Sequence, residues 1–108
     1  MSAEYARLQE AIAITASTTQ DRRDALDAGS KHEVAVQVMV LTTGVGTVKL
    51  QHAPILEDSA FEDVSGSVDL ATAGPKTILV TGHTRFLRWK ATITSGTPQF
   101  RIDTIGRE

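Results

Sequence analysis

The side chains able to carry chemistry here are three histidines, two pairs of adjacent carboxylates, a scatter of serines and one aromatic–cation stripe. His32, His52 and His83 lie far apart, with no cysteine to join them. Zinc sites draw on ligands at short, fixed spacings, so these three read as exposed histidines at strand edges. Glu57, Asp58, Glu62 and Asp63 gather negative charge in one loop. Calcium asks for about six to eight oxygens on an alternating acidic ladder, which two adjacent pairs do not make. The same adjacency argues against a general acid–base couple, because neighbours on a strand point to opposite faces. Ser65-Gly66-Ser67 reads as a turn, not as the Gly-x-Ser-x-Gly elbow of a hydrolase. Gly44-Val45-Gly46 lacks the third glycine and the following helix that cradle a phosphate. No catalytic residue, metal or cofactor is expected, and the chain reads as not an enzyme.

Phe86, Arg88 and Lys90 share one face of a predicted strand. An aromatic flanked by two cations can stack a base or a sugar ring. It can also pack on a neighbouring subunit, where aromatics and arginine are enriched. The third use is internal, with Phe86 covered by its own N-terminal segment through Tyr5 or Leu8. Trp89 falls on the opposite face and reads as core.

The elements that must position these residues are strands. Glu33 to Thr42 carries valine at 34, 36, 38 and 40, and side chains on a strand alternate faces, so the four make one apolar stripe. Leu87, Trp89, Ala91 and Ile93 repeat the pattern, as do Phe100, Ile102 and Thr104 in the closing strand. Shorter strands are expected at Ala25–Ala28, Thr47–His52, Val68–Leu70 and Thr77–Thr81. Hairpin turns are expected at Thr42–Gly46 and Ser95–Pro98, and further turns at Gly29-Ser30, Ala73–Pro75 and Gly82-His83. Residues 17–24 read as a polar loop and 55–67 as an acidic one, anchored by Phe61 and Val64. Seven or eight strands joined by Gly/Pro/Ser turns predict an all-β, jelly-roll-like antiparallel sandwich. Residues 1–16 are set apart from the 17–108 sandwich. Tyr5, Leu8 and Ile12 fall at helical spacing, yet the segment reads equally as an extended arm running into a first strand through Ile12, Ile14 and Ala16.

At 108 residues, net charge −2 and pI about 5.9, the chain suits one domain with a real core. Scattered basic residues argue against nucleic acid. No run approaches the ~20 apolar residues of a membrane span, and Met1 to Glu10 lacks the pattern of a secretory signal. Synthesis and folding in the cytoplasm are therefore expected, in keeping with the absence of cysteine.

Two stretches carry a resemblance. Thr47-Val48-Lys49-Leu50-Gln51-His52-Ala53, followed by Ser59-Ala60-Phe61-Glu62-Asp63-Val64, resembles a pattern in small β-sandwich virion proteins of tailed bacteriophages. There an x-Leu-Gln-x-Ser strand leads through an acidic loop to a Thr/Phe-x-Asp-Val end. Thr84 to Thr97 looks like their penultimate strand, and Ala25-Leu26-Asp27-Ala28-Gly29 like an early turn. Ala53-Pro54-Ile55-Leu56 departs from the usual glycine-rich tip. The resemblance implies a structural role in a phage-like particle, decorating or stabilising the capsid or seated at the tail. It implies contacts with copies of itself and with a major capsid or tail protein, and a place in the virion after synthesis in a host cytoplasm. Tyr5, Leu8 and Ile12 would anchor the arm, with Phe86, Arg88 and Lys90 as further contacts. The alternative from another class is a carbohydrate-binding module that recognises a surface glycan.

Overall fold

Val34, Val36, Val38 and Val40 are sealed from solvent in the computed structural model, which describes residues 3–29 and 31–107. Each such side chain is worth roughly 1.5–3 kcal/mol over an exposed one, so the stripe forces a second layer over itself. That layer is present. The strands are β1 (Ala3–Ala13), β2 (Thr18–Thr19), β3 (Leu26–Asp27), β4 (Glu33–Thr42), β5 (Val45–Ala53), β6 (Glu62–Asp63), β7 (Val68–Asp69), β8 (Gly74–Thr81), β9 (Phe86–Ser95) and β10 (Gln99–Arg107). Short 3-10 turns occupy Arg22–Asp24 and Asp58–Ala60.

One sheet, here sheet A, has the order β1-β10-β4-β8. Sheet B has β9 and β5 at its centre, flanked by β2 and β3 beyond β9 and by β6 and β7 beyond β5. All pairings are antiparallel. Counting β2 with β3, and β6 with β7, as interrupted single strands gives the orders 1-8-3-6 and 2-7-4-5. That is a jelly roll, an all-β sandwich of the predicted class. Between the sheets, the β4 valines, Phe100 and Ile102 meet Val48, Leu50, Leu87, Trp89 and Ala91. The Trp89 and Phe100 rings meet edge to face at 5.3 Å.

Several local expectations change. The predicted hairpin at Thr42–Gly46 is a crossover, since β4 lies in sheet A and β5 in sheet B. Its glycines serve close approach. A Cβ on Gly44 would sit 2.5 Å from Cδ of Pro98, and one on Gly46 would strike the Thr92 carbonyl. The Ser95–Pro98 turn is likewise a crossover, from β9 to β10, with Gly96 at φ +82°. The predicted turn at Gly29-Ser30 involves Ser30, which lies outside the described residues.

No helix forms over 3–10. Residues 3–13 make β1, hydrogen-bonded along β10, so the predicted arm is part of the sandwich; its first two residues lie outside the described range. The register of β1 shifts between Arg7 and Gln9 and again between Gln9 and Ile12. Each extra residue resets which side chains face inward. Leu8 and Ile14 therefore enter the core, and Ile12 packs against it. The polar segment 17–24 stays mostly exposed but is pinned to the sandwich at β2 and at one buried side chain. Gln20 is buried, donates from Nε2 to the Leu8 carbonyl (2.8 Å) and accepts the Trp89 amide on Oε1 (3.3 Å), tying the two sheets together.

Candidate functional site

Strand alternation that fills the core leaves a second set of side chains on the outside of sheet A. Tyr5 stands opposite Ile105, Ile105 opposite Ala35, and Ala35 opposite Leu79. These four form one apolar row that crosses the sheet from edge to edge. Tyr5 is 62%, Leu79 60% and Ile105 46% exposed. A depression of about 300 Å³ lies beside the row, lined by Tyr5, Ala35, Ile105, Gln37, Thr77 and Asp103 among others. Large apolar groups scattered singly on a surface are ordinary. A row of them in register is the kind of surface that marks a contact site.

Charges fix the row's aromatic end. The Tyr5 hydroxyl donates to Asp103 Oδ1 at 2.5 Å, and Arg7 Nε donates to the same oxygen at 2.8 Å. Arg7 Nη2 reaches the Tyr5 oxygen at 3.2 Å, and its Nη1 lies 3.3 Å from Glu10. Arg101 closes on the far Asp103 oxygen at 3.4 Å. Burial pushes the Asp103 carboxyl up, but hydrogen bonds from Tyr5 and Arg7 outweigh it and hold the group below the usual carboxylate range.

Asp27, through Arg85, and Asp63, through Lys49, are also held low, as is Asp21 beside Arg23. Groups whose folded pKa is depressed contribute stability that is complete above the unfolded value, ~3.9, and lost as pH falls through the folded one. The thermal midpoint should therefore be flat near neutrality and fall below about pH 4. Asp103→Asn should flatten that decline, as read by calorimetry across a pH series. An equally steep decline in the variant would show that Asp103 carries no part of it.

The predicted contact residues on sheet B are placed differently from expectation. Arg88 is not an outward cation but 6% exposed. Its Nε donates to Gln51 Oε1 (3.0 Å), its Nη1 to Asp58 Oδ1 (2.8 Å), and the guanidinium lies 4.0 Å over the Phe61 ring. Phe86 is half-buried, with the Arg85 guanidinium 4.9 Å from its ring centre. Its predicted cover, Tyr5 or Leu8, belongs to sheet A instead. Lys90 is half-buried opposite Lys49, which pairs with Asp63 at 2.7 Å. Of the six predicted contact residues, Tyr5 stands in the exposed row while Leu8 and Ile12 serve their own chain's core.

Arg88 forms part of the wall of a polar recess of about 580 Å³, shared with Thr19, Gln20, Asp21, Arg22, Arg23 and Asp58. Its arginines are matched by carboxylates, Arg22 with Asp58 at 3.5 Å and Arg23 with Asp21 at 2.8 Å. The acidic loop is spent similarly. Asp58 faces Arg88 and Arg22, Glu62 faces His52 at 3.4 Å, and Asp63 faces Lys49. His52 Nδ1 accepts the Thr84 amide, and His83 Nε2 donates to the Ala28 carbonyl. Among the described residues no three His, Cys, Asp or Glu side chains are grouped to hold a metal, and no helix is long and apolar enough to cross a membrane.

Sequence reasoning passed over Leu79, Ile105 and Ala35. The available signal was parity. Ile105 is the large apolar residue out of phase with Phe100 and Ile102 on its strand, and Leu79 breaks phase between Ile78 and Val80 in the same way.

The fold defines the chain as a jelly-roll β-sandwich. Among solved structures it is similar to the SPBc2 prophage-derived protein YomS, with a TM-score of 0.60 and 12% identity over 97% of this chain and 92% of that one. It is also similar to BiXyn10A CBM1 in its apo form, with a TM-score of 0.53 and 13% identity over 91% of this chain and 72% of the other. Identities this low carry the fold alone. No protein-family model matches the sequence, and no curated protein matches it either.

Proposed function

We propose that the chain is a structural subunit of a phage-like particle, decorating or stabilising its capsid through contacts with copies of itself and with a major capsid or tail protein. The observation that carries this reading is the apolar row Tyr5–Ile105–Ala35–Leu79 on the outside of sheet A. A prophage-derived protein among the fold neighbours supports it. The test is to band particles from the source cells by density and quantify this chain in them against the main shell protein. Ile105 lies on the surface in mid-row, so Ile105→Glu should leave the fold intact. It should lower the chain's share of the particle about tenfold, the equivalent of ~1.4 kcal/mol of contact. Absence of the wild-type chain from banded particles overturns the reading.

A carbohydrate-binding module is the second reading, favoured by the polar recess beside Arg88 and by the likeness to a CBM. Sugar platforms use exposed aromatic faces, and here Phe61, Trp89 and Phe100 are buried. A glycan panel answered by the wild type and lost with Phe86→Ala would establish this second reading.

A further inference from the structure

We infer that sheet A continues from one copy of the chain into the next, with the free edge of β8 pairing to the free edge of β1 on a second copy. The inference rests on the structural-subunit reading for its purpose and on the strand edges for its geometry.

The two sheets treat their edges differently. The long central strands of sheet B are each covered by two-residue strands, β2 and β3 on one side, β6 and β7 on the other. Short edges of that kind are how sandwiches discourage pairing with other chains. Sheet A ends instead in an 11-residue strand and an 8-residue strand, β1 bonded only to β10 and β8 only to β4 among the described residues. Both leave a row of backbone donors and acceptors unpaired.

The edges also suit one another. Three successive antiparallel steps separate β1 from β8, so the two run in opposite directions. A copy translated along the sheet therefore brings its β1 antiparallel to β8, and the alternation goes on unbroken. Register shifts after Arg7 restrict the regular part of β1 to Ala3–Arg7, with Tyr5 at its middle. Pro75 lacks a backbone donor, which restricts β8 to Lys76–Thr81, with Leu79 inside it. Each usable edge thus carries the large exposed apolar residue that ends the row on its side. Joining them sets Leu79 against Tyr5 of the next copy, and cross-strand aromatic–aliphatic pairs stabilise such a junction. Edge charges normally repel an incoming strand. On β1, Arg7 is engaged by Asp103 and Glu10, and Glu4 by Lys31 at 3.2 Å; on β8, Lys76 would fall opposite position 8, beyond the regular stretch of β1.

The test blocks one edge at a time. Tyr5→Pro removes a donor from β1, and Leu79→Pro removes one from β8; Tyr5→Lys and Leu79→Lys place a charge at the same points and decide the matter if the proline variants do not fold. In sedimentation velocity from micromolar to millimolar protein, the wild type should grow into oligomers with concentration. Each blocked variant alone should remain a monomer, because two copies would offer only like edges. An equal mixture should form dimers and nothing larger, since one partner brings an open β8 and the other an open β1. A wild type that stays monomeric overturns the inference. So does a single variant that still dimerises, the mark of symmetric β1–β1 or β8–β8 pairing, and so does a mixture that stays monomeric. Wild type that is monomeric alone but bands with particles defeats the edge pairing and leaves the structural-subunit reading standing. Oligomers that never band with particles do the reverse.

Discussion

Trp89→Ala lowers the unfolding free energy by about 3–5 kcal/mol, a large share of the roughly 5–15 kcal/mol that holds a small domain together. Trp89 is 1% exposed and sits where the layers meet. Its ring edge meets Phe100 of β10, and its Nε1 donates to Gln9 of β1 at 3.1 Å. Both partners belong to sheet A while Trp89 belongs to sheet B. Truncation therefore loses the transfer energy of the ring, opens a cavity between the layers, and removes a bond between them. Trp89→Phe keeps most of the packing and should cost about half as much or less, within the range for modest core changes. Urea unfolding followed by far-ultraviolet circular dichroism reads both, since neither variant keeps a tryptophan to fluoresce. A loss below about 1 kcal/mol for Trp89→Ala would mean that the sheets do not close over this ring.

Arg88→Ala should come next, at about 2–3 kcal/mol. Removing one partner of a buried ion pair costs about 3–5 kcal/mol when the other charge is stranded. Asp58 is largely exposed and can recover water, which trims the figure. What remains is the buried Gln51 oxygen left without its donor, the lost stacking on Phe61, and the space vacated. Arg88→Lys should recover less than half of the loss. A single ammonium cannot bridge Gln51 and Asp58 while lying flat on a ring. If lysine restores wild-type stability, the planar guanidinium geometry has no energetic role here.

The strands were legible because burial on one face writes itself as alternation. Val34 to Val40, Leu87 to Ala91 and Phe100 to Ile102 all turned inward as their parity required. Connectivity was not legible. A glycine pair such as Gly44 and Gly46 looks the same whether the chain folds back on itself or climbs to the other layer; the difference lies in Pro98 and Thr92, half a chain away. β1 misled for a physical reason as well. Its two register shifts turn Leu8 and Ile12, four residues apart, both toward the core, a spacing that imitates a helix face. Arg88 obeyed strand parity and still disappeared from the surface, because the Asp58–Ala60 turn and Phe61 fold over it. Of the exposed row, Tyr5 alone was singled out in the sequence, and then as an anchor of an N-terminal arm. Leu79 and Ile105 were masked by apolar neighbours that made them look like more core.

The seat of β10 between β1 and β4 bears on how the protein is born. A ribosome working from the amino end completes β10 after every other strand described. Until it emerges, β1 has no strand to pair with among the described residues, and within its sheet β4 has only β8. Topologies dominated by distant pairings fold slowly, and a nascent chain in that condition displays unsatisfied backbone and oily side chains together. Slow closure follows from this strand order, and one late insertion then locks both sides of the sheet at once.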